Sequence, residues 1–152
     1  MIFCLDFSNL TSISNECCHN CSSLKEVKFS DALTGIGQSP FLNCDKLSTV
    51  SLAVGTTKYV IEDGIMYTSD KSELQCCPPA VNIETYTAPE SLINLRYSSF
   101  AGNKSIVEFI SNNSITISGR CFEGCLNLKD INQLTIYYLN KYNVLALNLI
   151  FQ

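Results

Sequence analysis

The chain has 152 residues, 46% hydrophobic and 16% charged, with a net charge of -4. Such a length and balance suit one domain with a sizeable core and exclude a disordered chain. There is no basic footprint for nucleic acid or an anionic membrane, and no run approaches the ~20 apolar residues that span a bilayer.

The chain opens with "MIFCLDFSNL", which lacks a basic n-region and has Asp6 within its apolar run, so no export signal is expected. The same residues hold the first of six strand kernels, near residues 2–7, 24–29, 47–52, 83–88, 106–111 and 128–133. One apolar column reads Ile2, Leu24, Leu47, Ile83, Ile106 and Leu128. A second reads Leu5, Val27, Val50, Tyr86, Phe109 and Ile131, and the successive offsets are 22, 23, 36, 23 and 22. Period-two alternation at the end of each kernel predicts one short strand.

Between kernels run further columns. Ile13, Ile36, Leu95 and Ile117 form one, and Cys18, Phe41, Phe100 and Phe122 form an aromatic one. A small residue precedes the aromatic (Cys17, Pro40, Ser99, Cys121), and three residues after it stand Cys21, Cys44, Asn103 and Cys125. This spacing predicts one tight helical turn per coil, aiming the aromatic and the thiol inward. One strand and one turn in 22 or 23 residues bury little alone. Stacked coils turn each column into a ladder through a continuous core. The reading is a mainly β solenoid: parallel strands, a short helical turn per coil, one domain over 1–152, and a degenerate terminal coil at 134–152.

The 36-residue offset holds extra chain, expected as a β-hairpin insertion at about 57–79. Asp63-Gly64 is a hairpin turn signal, Ser69 to Ser72 a second turn before another strand, and Pro78-Pro79 a stop.

The segments "LTGIGQSPFLNCDKLSTVSL" (Leu33 to Leu52) and "ITISGRCFEGCLNLKDI" (Ile115 to Ile131) resemble the leucine-rich repeat family in its BspA-like subtype. The insertion resembles one common in that subtype. Asn103 in the Cys column and Cys18 in the aromatic column depart from the pattern. The resemblance implies a non-catalytic protein-recognition or adhesion module of the surface-antigen kind, at the cell surface or secreted. Alternatives are a structural spacer or fragment of a longer repeat protein, or a thiol- or metal-dependent protein.

The stretch "ECCHNC" (Glu16 to Cys21) suggests a metal site taken alone. A zinc site needs a second ligand pair at suitable spacing, and none follows nearby. Laid under "SPFLNC" and "RCFEGC", it is one coil's turn, with Cys21 in a ladder of buried thiols and His19 left solvated. The chain has nine cysteines, an odd number, so at least one has no partner within it. No Gly-rich phosphate loop and no Cys-His arrangement with an orienting acid is present. No enzyme activity, cofactor or metal is expected.

Residues between the apolar columns face outward and form the candidate partner-binding face. Glu26, Thr49, Thr85, Glu108 and Asp130 make one row, and Lys28, Ser51, Thr87, Ile110 and Asn132 the next. Stacking predicts a continuous, mildly acidic surface for a protein partner. Tyr59, Met66 and Tyr67 are the candidate contacts on the insertion. Neither end shows a polar cap, which raises end-to-end self-association as a further expectation.

Overall fold

A computed structural model describes residues 3–132. The expected terminal coil at 134–152 and kernel residue Ile2 lie outside the described residues. In chain order the strands are β1 (Cys4–Phe7), β2 (Ser12–Ile13), β3 (Glu26–Phe29), β4 (Gly35–Ile36), β5 (Thr49–Leu52), β6 (Tyr59–Glu62), β7 (Ile65–Thr68), β8 (Glu73–Cys76), β9 (Thr85–Thr87), β10 (Asn94–Leu95), β11 (Glu108–Ile110), β12 (Thr116–Ile117) and β13 (Asp130–Asn132).

The kernel strands stack as two parallel three-stranded sheets, β1-β3-β5 and β9-β11-β13. Each strand starts two residues after its kernel does. The kernel-opening residues Leu24, Leu47, Ile106 and Leu128 are buried where the chain enters the strand. The register puts Leu5, Val27 and Val50 side by side, and likewise Tyr86, Phe109 and Ile131. On the opposite side of the coils, β2 pairs with β4, and β8, β10 and β12 run parallel with Leu74, Leu95 and Ile117 in register.

The turn that joins the two sides is not helical, contrary to the expected helical turn per coil. Among the described residues no helix forms. The backbone shows why. Two residues four apart take the left-handed conformation in each coil: Glu16 and Asn20, Ser39 and Asn43, Ser98 and Gly102, Arg120 and Gly124. A right-handed helix cannot run through them. Alternate amides also leave their own coil. Glu16, Cys18 and Asn20 donate to the carbonyls of Gln38, Pro40 and Leu42, and Ser98, Phe100 and Gly102 to those of Gly119, Cys121 and Glu123. The remaining amides close β-turns, as in Cys21 to the Cys18 carbonyl at 3.2 Å and Cys44 to that of Phe41 at 3.1 Å. The turns therefore form a third ladder that stitches coil to coil.

The insertion is a meander. β6 and β7 pair antiparallel across Asp63 and Gly64, whose positive φ values of 51° and 80° suit the tight hairpin turn. β8 pairs antiparallel with β7 and parallel with β10. The hairpin is a wedge with two apolar faces. Tyr59, Ile61, Met66 and Cys76 pack on the core of the first coils, with Val27, Phe29 and Phe41. Val60, Ile65, Tyr67, Leu74 and Cys77 pack on the core of the later coils, with Tyr86, Phe100 and Phe109. Period-two alternation of apolar residues on both faces makes this possible.

Polar bonds tie the two halves on the turn side. Arg96 donates to the Ile36 carbonyl at 3.0 Å and to Gln75 Oε1 at 2.6 Å. The hydroxyls of Ser39 and Ser98 stand 2.9 Å apart.

Candidate functional site

The outward rows form on the kernel sheets in the expected register. Glu26 lies beside Cys4 and Thr49, Lys28 beside Asp6 and Ser51. Glu108 lies beside Thr85 and Asp130, and Ile110 beside Thr87 and Asn132. Lys28, Thr49, Thr85, Thr87 and Asp130 are exposed, while Glu26, Ser51, Glu108 and Ile110 are half-buried. Paired rows like these place neighbouring side chains about 5 Å apart. Lys28 Nζ stands 3.6 Å from Glu26 Oε1, so its charge is partly met within the row.

The continuous face expected from stacking is broken in one place. β5 and β9 belong to different sheets, so Thr49 and Thr85 are not neighbours. The hairpin wedge separates the two halves there. The face is two three-residue-wide patches rather than one strip.

The insertion contacts are corrected as well. Tyr59 is 6% exposed, Met66 0% and Tyr67 3%. Their place on the two apolar faces of the wedge withdraws them from solvent. Tyr67 also donates its hydroxyl to that of Tyr86 at 3.1 Å, and burial pushes the Tyr67 phenol up to about 12. None of the three can meet a partner without opening the core.

The cysteines occupy the ladder positions. Cys44 Sγ donates to the Cys18 carbonyl at 3.0 Å, and Cys125 Sγ to the Phe100 carbonyl at 3.1 Å. Each thiol thus bonds the aromatic-column carbonyl of the preceding coil. Cys121 Sγ donates to the Arg96 carbonyl at 3.0 Å. Burial raises these thiols, Cys44 and Cys121 to about 11 and Cys125 to about 12, which keeps them protonated and unreactive. Cys21 is half-buried. Among the described residues no group of three or more His, Cys, Asp or Glu is placed to hold a metal ion.

Asn103 replaces the thiol of its column with more bonds. Its Oδ1 accepts from the Ser105 amide at 3.0 Å, the Ser105 hydroxyl at 2.8 Å and the Ile106 amide at 3.0 Å, and its Nδ2 donates to the Val81 carbonyl at 2.9 Å. In the thiol coils the amide at the Ile106 position bonds backbone instead, as Leu47 does to the Cys44 carbonyl at 2.8 Å. Asn103→Ala is expected to lose about 2–4 kcal/mol, since truncation strands the Ser105 and Ile106 amides, the latter buried, while the Val81 carbonyl keeps the Ser105 hydroxyl. Urea unfolding of the two proteins measures the difference, and a loss under 1 kcal/mol refutes the role.

Sequence reasoning missed one coil member. Leu74 stands in the column of Leu95, and the Cys77 amide donates to the Ser99 carbonyl at 2.6 Å, as the Cys18 amide does to that of Pro40. Cys76 and Cys77 therefore hold the small and aromatic positions of the inserted coil. Their distance from Leu74 is two residues shorter than in other coils, so a fixed-offset comparison passes over them.

His19, expected to be solvated, is half-buried. Asn43 Nδ2 lies 3.2 Å from His19 Nε2 and donates to Asn20 Oδ1 at 2.9 Å, linking two turns. Beside it, the exposed Cys17 and buried Cys18 have sulfurs 3.5 Å apart. Contact with the Cys18 thiol lowers Cys17 to about 7, while Cys18 itself is raised by the same contact and by burial.

Parallel kernel strands on one side and a ladder of turns on the other, repeating every 22 or 23 residues, define a leucine-rich-repeat solenoid. The chain belongs to the BspA type leucine rich repeat family, whose model matches in six copies over residues 4–68 and 74–143. A search of curated proteins finds none that matches.

Solved structures share the fold. The pneumococcal vaccine antigen PcpA aligns with a TM-score of 0.74 at 20% identity, covering 86% of this chain and 38% of that one. A leucine rich cell surface protein from Faecalibacterium prausnitzii A2-165 aligns at 0.63 and 15% identity, over 88% of this chain and 43% of its own. A leucine-rich repeat protein from Eubacterium ventriosum aligns at 0.50 and 14% identity, over 74% and 50%. The chain thus spans half or less of the length of each. Among the described residues no helix is long and apolar enough to cross a membrane.

Proposed function

We propose that this chain is a non-catalytic protein-recognition or adhesion module of a surface-type leucine-rich-repeat protein, acting at the cell surface or outside the cell. The observation that carries this reading is the pair of outward patches on the kernel sheets. Each holds polar side chains in register, on a backbone fixed by ladders on both sides. Such a surface is pre-organised, so little side-chain and backbone ordering opposes binding. Glu26, Glu108 and Asp130 give both patches acidic groups, which favours a partner with basic or hydrogen-bonding groups at matching spacing. Likeness to a vaccine antigen and a cell surface protein supports the surface setting.

The test is a combined Glu26→Lys, Glu108→Lys and Asp130→Lys variant. It is expected to keep the parent's melting temperature within a few degrees and to lose at least ~10-fold in affinity for any protein captured by the parent. Capture and titration of the same partner by both chains decides the matter. Equal affinity in the two would place the contact on another face of the chain, and capture of no partner by the parent would favour a structural spacer.

A further inference from the structure

The first coil differs from the others at its turn. Where Phe41, Phe100 and Phe122 fill the aromatic column, it has Cys18, and the small residue before it is a second thiol. Cys76 and Cys77 occupy the same two positions in the inserted coil, but both are buried and they belong to different cores. Cys17 is open to solvent, and its sulfur touches that of Cys18 at 3.5 Å.

The backbone that carries this pair is pinned. The Glu16 amide donates to the Gln38 carbonyl at 2.9 Å and the Cys18 amide to the Pro40 carbonyl at 3.0 Å. The Cys18 carbonyl accepts from the Cys21 amide at 3.2 Å and from Cys44 Sγ at 3.0 Å. Joining the sulfurs as a disulfide requires them to close to about 2.05 Å against these bonds. A bridging ion requires no such closure. Two thiolates bound at about 2.3 Å with a tetrahedral angle at the ion stand about 3.8 Å apart, close to the 3.5 Å between these sulfurs.

We propose that Cys17 and Cys18 form a dithiol site that captures a soft, thiophilic centre with two open valences, for which trivalent organic arsenic is the probe. The centre arrives at the exposed Cys17 sulfur and closes onto Cys18. With phenylarsine oxide, each thiol gives its proton to the oxide oxygen, which leaves as water. Two arsenic–sulfur bonds replace the arsenic–oxygen bond, and arsenic stays trivalent.

The experiment titrates the reduced full chain with phenylarsine oxide under native conditions and reads the adduct by mass spectrometry. One equivalent is expected, held until an excess of a small dithiol removes it. Cys17→Ser and Cys18→Phe are each expected to weaken capture by about 100-fold or more, because the second sulfur no longer binds intramolecularly. Cys18→Phe restores the ring that other coils carry there, so an unchanged melting temperature confirms that the variant folds. Cys4→Ser, which changes the other exposed thiol, is expected to leave capture intact. No stable adduct with the parent chain overturns the proposal. So does an adduct that survives in both Cys17→Ser and Cys18→Phe, or one that needs Cys4.

Discussion

Phe100→Ala is expected to lower the free energy of unfolding by about 3–5 kcal/mol, the range for a fully buried aromatic cut to a methyl group. Phe100 has no exposed surface. Its ring stacks on Phe122 with centroids 5.5 Å apart, and meets Tyr86 edge-on at 5.0 Å and Phe109 at 6.0 Å. It thus joins the turn ladder to the kernel ladder in two neighbouring coils. Such ring pairs add about 0.5–1.5 kcal/mol beyond their area. The coils are held at fixed spacing by backbone bonds on both sides, so the cavity cannot collapse. Chemical denaturation of both proteins reads the effect, and a loss below 2 kcal/mol would mean that the coils do close over the gap. Loss of all folded signal would instead place the cost above the whole stability of the chain, which for a domain of this size is about 5–15 kcal/mol.

The second large effect is expected from one added methyl group. Gly37 donates its amide to the Ile13 carbonyl of the preceding coil at 2.9 Å. A Cβ built there would lie 2.2 Å from the Asn15 nitrogen and the Ser14 carbonyl carbon. These are backbone atoms, so no side chain can swing aside, and the two coils must part. Gly37→Ala is expected to cost about 3 kcal/mol, at the upper end of the range for overpacking. Gly35, two residues earlier, is the control. Its added Cβ would meet only Ser12 Cβ at 3.4 Å, so Gly35→Ala is expected to change stability by less than ~1 kcal/mol. Thermal and urea unfolding of the pair test this, and similar costs at both positions would refute the close-approach argument.

The solenoid was legible because burial in stacked coils acts on columns. Leu24, Leu47, Ile106 and Leu128 must each be apolar for the same reason, so their spacing shows without any structure. The same logic placed Glu26, Thr49, Thr85 and Glu108 on the outward rows. The helical turn was misread because "FxxC" spacing fits a helical turn and a β-turn ladder alike. What separates them is backbone conformation at positions such as Glu16, Ser39 and Arg120, whose side chains carry no left-handed signature. Only Asn20, Asn43, Gly102 and Gly124 do so, in the second left-handed place.

The insertion was legible as a hairpin from Asp63-Gly64, but its burial was not. Tyr59, Met66 and Tyr67 look exposed when the only apolar surface counted is the solenoid's own interior. Alternation in "YVIEDGIMYT" is apolar on both faces, which is the mark of a strand covered twice. The candidate face carries no comparable signal, since Thr and Glu on an outward row look alike whether or not anything binds them.

The wedge also sets how the chain must come apart. Any ordinary coil presents the same kind of surface above and below, so its neighbours match each other as well as they match it. The hairpin does not: Met66 and Ile61 fit the first core, Tyr67 and Val60 the second. It is the keystone rather than another course of the wall. Losing it bares two unlike apolar surfaces at once, so opening of residues 59–76 is expected to uncover the cores of both halves together.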